Sequence, residues 1–131
     1  MRRPVLLAMA ALGALLAGCG GDGPDPGPEP GYLEVVVLGP ATNTGALLFD
    51  VAGGTVDSVV AEGTYLISAS HAGVARRVAV AGDSLHGTVA RLYVPDVHQR
   101  YSATLVEAAH GITHQLLLPA DYRLPLLAHA Q

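Results

Sequence analysis

The sequence predicts an all-β fold, a small antiparallel β-sandwich that occupies residues 32–131 of the 131-residue chain. Short apolar or alternating stretches recur about every ten residues, which is typical of the strands of a sandwich. Gly, Pro and Asp separate these stretches and favour turns. No apolar pattern with a period of about 3.6 residues is long enough for a sizeable helix. These three observations predict two packed sheets of jelly-roll or immunoglobulin-like type.

Nine strands are predicted in chain order. Each is an apolar, β-branched or alternating stretch that ends at a turn residue. The fifth strand places Arg76 among valines on one face and Arg77 among alanines on the other, so the pattern does not show which face packs against the core. The predicted strands are Leu33 to Leu38, Gly45 to Val51, Val56 to Ala61, Tyr65 to Ser70, Val74 to Ala81, Gly87 to Val94, Tyr101 to Ala109, Ile112 to Leu118 and Tyr122 to Leu127.

The chain begins with the three segments of a secretory signal. Met1-Arg2-Arg3 is a short basic head, the residues from Pro4 to Leu16 carry no charge, and Ala17-Gly18 is a small-residue cleavage site. The apolar segment is shorter than the roughly 20 residues that a transmembrane helix needs. Residues 1–18 are therefore predicted to be a cleaved signal peptide.

The segment Leu16-Ala17-Gly18-Cys19 resembles the lipobox of bacterial lipoproteins. The resemblance implies cleavage between Gly18 and Cys19, a diacylglyceryl group on the Cys19 thiol and an acyl group on the new amino terminus. The alternative is a cysteine that falls by chance at the end of an ordinary signal peptide. Several acyl chains hold a protein on a membrane better than one, because each buried CH₂ contributes about 0.8 kcal/mol. In this family an Asp after the cysteine favours the inner membrane, so Gly20 favours the outer membrane.

Residues 19–31 are predicted to be the lipidated cysteine followed by a disordered, acidic Gly/Pro tether. The segment from Gly20 to Gly31 has no apolar side chain to bury and too much Pro for a helix or a sheet. At about 3.1 Å per residue it would reach up to about 37 Å. Its carboxylates lack the spacing of an EF-hand loop, so we interpret them as solvated charge.

The charge balance argues against two classes of partner. Removal of Arg2 and Arg3 from the seven basic residues would leave five, against eleven acidic residues, a formal net charge of −6. Such a balance gives no electrostatic surface for nucleic acid. It also disfavours direct binding of the domain to an anionic membrane.

The residues Gly82-Asp83-Ser84-Leu85 match the nucleophile block of GDSL esterases, and that resemblance would make Ser84 a nucleophile. Neither a Gly-x-Asn-Asp block nor an Asp-x-x-His block lies downstream to supply an oxyanion hole and a base. We therefore interpret Gly82-Asp83 as a tight hairpin turn. The protein is not predicted to be an enzyme.

The remaining polar and aromatic residues give no specific site. Lipidation of Cys19, the only cysteine, would leave no thiol for a disulfide or a metal. His110 and His114 would lie about 13 Å apart along an extended strand, and no metal site or cofactor is predicted. The few aromatic side chains are interpreted as core or strand-pairing residues. The histidines are His71, His86, His98, His110, His114 and His129.

Three predicted strands resemble those of cohesin-type modules: Gly45 to Val51, Gly87 to Val94 and Tyr101 to Leu105. Cohesins are jelly-roll sandwiches that bind helical dockerin modules, with calcium held by the dockerin. The resemblance spans roughly Gly45 to Leu117 and implies a protein partner. It transfers no binding residue to this chain.

The sequence thus predicts a lipid-anchored lipoprotein of the cell envelope that displays a small β-sandwich for protein binding or a structural role. The alternative is a solute- or glycan-binding lipoprotein, which would have a concave pocket with convergent polar groups and an exposed aromatic side chain. A small enzyme would instead bring His, Asp and Ser side chains together. An unprotected edge strand would offer itself for strand addition.

Overall fold

A computed structural model describes residues 27–39 and 43–131. Within these residues the chain forms nine strands and one short 3₁₀ turn, Pro119–Asp121, and the predicted all-β class is confirmed. The predicted signal peptide, Gly18, Cys19 and the tether up to residue 26 lie outside the described residues. The strands are β1 (Gly31–Val37), β2 (Thr44–Ala52), β3 (Ser58–Ala61), β4 (Leu66–Ala72), β5 (Ala75–Ala81), β6 (Gly87–Val94), β7 (Ser102–His110), β8 (Leu116–Leu117) and β9 (Leu126–Ala130).

The strands form two antiparallel sheets that pack face to face as a β-sandwich. The four-stranded sheet has the order β3-β6-β1-β9, and the five-stranded sheet has the order β4-β5-β2-β7-β8. β1 is therefore central in the first sheet and β2 is central in the second. β3 and β9 form the edges of the first sheet, and β4 and β8 form the edges of the second.

The core lies between the sheets and is built from alternate residues of the facing strands, as the period of two requires. On β1 the buried apolar side chains are Leu33, Val35 and Val37, and the residues between them are only half-buried. Phe49 of β2 is fully buried against Val78 of β5, its partner across the ladder. The remaining buried apolar residues are Leu47, Val51, Val56, Val80, Leu85, Val89, Ala90, Leu92, Val94, Ala108, Tyr122 and Leu124.

The structure shows which face of the fifth strand is internal. Val78 and Val80 point into the core, so Arg77 lies on the outer face. There its guanidinium forms an ion pair with Asp50, which is directly opposite on β2. The sequence left this choice open because Arg76 falls on the same face of the strand as Val78 and Val80. Arg76 can do so because it lies near the end of the strand, where its Nη1 contacts His71 Nε2 at 3.0 Å.

The strand prediction for residues 112–118 was wrong in most of its length. Gly111 to Thr113 form a turn in which the His114 N–H donates to the His110 carbonyl oxygen, and only Leu116–Leu117 is a strand. The Gly111 N–H bonds to the Asn43 carbonyl oxygen, a contact distant in sequence that favours the turn. The extended 13 Å separation inferred for the two histidines therefore does not apply.

The last strand lies later than predicted. It begins at Leu126, whereas Tyr122 and Leu124 precede it and pack into the core from an irregular segment. Arg123 between them forms an isolated bridge with Leu38, with hydrogen bonds in both directions. Tyr122 and Leu124 are buried on either side of the bridged Arg123. This gives the same alternation as a strand, which is why the sequence predicted a longer one.

The hairpin interpretation of Gly82-Asp83 was also wrong. The segment after β5 crosses from the five-stranded sheet to β6 of the four-stranded sheet, and these two strands are not paired. The N–H groups of Gly82 and Leu85 donate to the carbonyl oxygens of Gly45 and Thr44. Leu85 is 2% exposed and closes this end of the core.

Candidate functional site

The outer face of the five-stranded sheet contains a shallow apolar groove with a volume of about 290 Å³. Its floor consists of alanines from three adjacent strands, and its walls are two leucines at the edges of the sheet. Leu66 is 74% exposed and Leu116 is 71% exposed. The residues of this apolar groove that belong to the outer face are Ala46, Leu48, Leu66, Ser68, Ala79, Ala81, Glu107, Ala109 and Leu116.

The groove exists because small residues occupy the same row of the sheet. Ala46 of β2 lies directly between Ala81 of β5 and Ala109 of β7, and Leu66 and Leu116 continue the row on either side. Methyl groups in the centre and isobutyl groups at the ends produce a concave cross-section. An exposed apolar patch of this kind is informative, because large apolar side chains on a soluble surface often mark a contact site.

Charged residues border the groove on the same face. Asp50 accepts two hydrogen bonds from Arg77, at 2.8 Å and 2.9 Å, in a bidentate ion pair. These hydrogen bonds hold the pKa of Asp50 below its usual value and raise the pKa of Arg77. Both groups therefore stay charged near neutral pH. Together with Glu107 they give the apolar groove a polar rim.

One wall of the groove belongs to an edge strand, β4. Its seven residues contain no Lys, Arg, Asp, Glu or Pro. All seven pair with β5 in an uninterrupted register without a bulge. Edge strands are usually protected by a charge, a proline, a bulge or short length, and β4 has none of these features.

The outer face of the four-stranded sheet carries a cluster of rings around Tyr32. His129 stacks on this ring from the β9 side, with centroids 4.9 Å apart and an interplanar angle of 14°. Arg91 approaches from the β6 side, 5.3 Å from the ring centroid, and Tyr93 packs at 5.8 Å. These contacts are made within the protein and engage both flanks of the Tyr32 ring, so the cluster is not an open stacking platform for a sugar.

The histidines are distributed over separate parts of the fold. In the part of the chain that the structure describes, no group of three His, Cys, Asp or Glu residues could hold a metal ion. His98 contacts Glu29 at 2.6 Å, and His110 accepts the N–H groups of Ile112 and Thr113 through Nδ1. His86 directs its Nδ1 to the main-chain carbonyl oxygen of Ser84, at 3.0 Å.

No protein-family model, curated protein or solved structure matches the chain. No helix in residues 27–39 or 43–131 is long and apolar enough to cross a membrane. The functional assignment therefore depends on the residues themselves. The predicted lipidation site, Cys19 with Gly18, lies outside the described residues.

The apolar groove was missed by the sequence reasoning. The signal was present in two alanines at alternate positions of one strand, Ala79 and Ala81 of β5. To combine them with Ala46 and Ala109 requires the strand order and the register, and a single sequence gives neither.

Proposed function

We propose that this protein is a lipid-anchored lipoprotein of the cell envelope that uses the apolar groove to bind a protein partner. The observation that carries the proposal is the pair of solvent-facing leucines, Leu66 and Leu116, on either side of an alanine floor. Burial of both side chains by a partner would contribute about 3–6 kcal/mol. The rim of Asp50, Arg77 and Glu107 would orient the partner, because charges at the edge of an interface select partners more than they add affinity.

The sequence supports the anchored location. Cys19 ends a basic, apolar and small-residue segment, and the Gly/Pro-rich residues that follow would separate the sandwich from the lipid surface. The absence of Asp after Cys19 favours the outer membrane within this proposal. The resemblance of β2, β6 and the start of β7 to cohesin strands supports a protein as the partner. The Tyr32 ring already contacts His129 and Arg91 of the same protein, which gives no support to the glycan-binding alternative.

The anchor is tested by radiolabelled palmitate and membrane fractionation of the full chain and its Cys19→Ala variant in a bacterial host. The wild type should incorporate label and sediment with the envelope. The variant should lose the label and appear in the soluble fraction. Equal labelling and equal sedimentation of both proteins would contradict lipidation at Cys19.

The groove is tested by affinity capture from an envelope extract with full-length protein tagged after Gln131. The informative variant is Leu66→Ser combined with Leu116→Ser. The matched control is Leu127→Ser combined with Val60→Ser, two residues that are 49% and 46% exposed on the opposite sheet. A partner of this groove should be retained by the wild type and the control but not by the first variant.

The effect of a calcium chelator on the captured partner tests the cohesin resemblance separately from the proposed function. A groove-dependent partner that is released by a chelator would favour a dockerin-like module. A groove-dependent partner that stays bound in the presence of the chelator would support the proposed function and argue against the cohesin resemblance. If both double variants retain the same proteins as the wild type, the groove is not the binding site.

A further inference from the structure

The free edge of β4 carries a defined set of unpaired hydrogen-bonding groups. A two-residue turn, Gly73-Val74, joins β4 to β5 and is closed by the pair Ala72 and Ala75. Gly73 has φ of +62°, as the first central residue of a primed turn requires. The closing pair of such a hairpin exchanges both of its hydrogen bonds, and the pattern then alternates along the ladder.

The alternation fixes which groups of β4 face outward. Residues 66, 68, 70 and 72 bond to β5, whereas Ile67, Ala69 and His71 direct their N–H and carbonyl groups away from the sheet. No described backbone group bonds to these three residues. The edge therefore presents three donors and three acceptors in a straight row, the arrangement to which another extended strand can add.

We propose that two copies of this protein associate through antiparallel pairing of β4 with β4, centred on Ala69. In this register Ala69 lies opposite Ala69 of the second copy, and Ile67 lies opposite His71 of the second copy. Every outward N–H then meets an outward carbonyl group, which gives six hydrogen bonds from the three pairs. A shift by two residues would place His71 opposite Tyr65, which precedes the strand.

The side chains fit the same register. On the outer face Ser68 lies opposite Ser70 of the second copy, and Leu66 lies opposite Ala72. The centre of the contact contains only Ser and Ala, so the backbones can approach without steric conflict. Because β4 has no acidic residue, the pairing brings no carboxylates of the strand against each other.

The other edges suit pairing less well. β3 has four residues, β8 has two, and β9 has five and is preceded by Pro125. β4, with seven residues, is the longest edge in the described part of the chain. Pairing along it would give one continuous ten-stranded sheet, with both apolar grooves on the same outer face.

The register is tested by disulfide formation in the full chain carrying Cys19→Ala, which removes the natural thiol. One sample carries Ser68→Cys and a second carries Ser70→Cys. In the proposed register these positions are opposite each other in a non-hydrogen-bonded pair, with Cα atoms about 4.5 Å apart, within the range of a disulfide. Identical positions in the two copies lie on a diagonal, about 7–8 Å apart.

An equimolar mixture of the two variants should therefore form about tenfold more disulfide-linked dimer than either variant alone. Equal cross-linking in all three samples, or none in any, would overturn the proposal. The lipid anchor is absent from this experiment, so its result is independent of the location proposed above.

A second substitution separates hydrogen bonding from folding. Ala69→Pro removes an N–H that faces the free edge and leaves the ladder to β5 complete. In the mixed sample it should reduce cross-linking about tenfold, whereas Ala69→Ser, which keeps the N–H, should leave it unchanged. Far-ultraviolet circular dichroism establishes that both variants are folded. Undiminished cross-linking of a folded Ala69→Pro protein would also overturn the proposal.

Discussion

Replacement of Tyr122 by Phe should destabilise the domain by about 1–3 kcal/mol, because it leaves a buried hydroxyl without its partner. Thr44 is fully buried, and its Oγ1 lies 2.7 Å from the hydroxyl of Tyr122, which is itself 8% exposed. The two residues are 78 positions apart and join the start of β2 to the segment that precedes β9. Neither hydroxyl can recover the lost bond from bulk water.

A double-mutant cycle measures the coupling energy between the Thr44 and Tyr122 hydroxyl groups. Thr44→Val should also cost about 1–3 kcal/mol, since it leaves the Tyr122 hydroxyl unpaired. The double variant removes both polar groups with little change in shape, so its cost should fall short of the sum by about 1–3 kcal/mol. For a domain of about 100 residues, each kcal/mol corresponds to about 4–8 °C in the midpoint of thermal unfolding.

The assay is urea unfolding of the full chain and the three variants, followed by circular dichroism. The slopes with respect to urea concentration should agree among the four proteins, so that midpoints report stability. Tyr101→Phe is the matched control, because the Tyr101 hydroxyl donates to the Thr55 carbonyl oxygen at the surface. Strict additivity, or a Tyr122→Phe protein as stable as the wild type, would refute the reasoning.

Three further predictions concern the surface. Hydrogen bonds from Arg77 lower the pKa of Asp50. The pair therefore stabilises the fold above the unfolded pKa of about 3.9, and this contribution is lost as the pH falls through the folded value. Asp50→Asn should reduce the acid dependence of stability, measured by urea unfolding between about pH 5 and pH 2. Gly73→Ala should lower stability by about 1 kcal/mol because φ is +62°, and Gly73→Asn should cost less in the same measurement; equal costs would exclude backbone conformation as the cause. Leu66→Ser and Leu116→Ser should reduce binding of an apolar fluorescent dye while changing stability by less than about 0.5 kcal/mol, since both side chains are mainly exposed.

Local sequence patterns were sufficient to predict the fold class and the strands up to β7, but not the segment that follows β7. Val35 and Leu47 belong to regular alternations, and alternation is the direct signature of a half-buried strand. The turn after His110 depends on a bond from Gly111 to Asn43, which only the folded chain brings together. Long-range contacts of this kind override a β-prone composition such as that of residues 112–118.

The candidate site was harder to predict than the fold because it is formed by rows that cross the strands. Ala46, Ala81 and Ala109 are far apart in sequence and become neighbours only through the order β5-β2-β7. The crossover at Gly82 to Leu85 shows the same limit, because the residues that favour a hairpin turn also favour a change of sheet. This segment connects the two sheets and places Leu85 in the core.

The point at which the chain enters the sandwich determines how the domain would respond to mechanical load. Before β1 begins, the Glu29 carbonyl oxygen accepts the Val97 N–H and the Pro30 carbonyl oxygen accepts the Gln131 N–H. β1 itself is held on one side by β6 and on the other by β9. A pull along the preceding residues would therefore load two ladders in shear rather than peel a strand from an edge. A domain pulled through β1 would therefore withstand forces that would unfold it if they were applied to the edge strand β4.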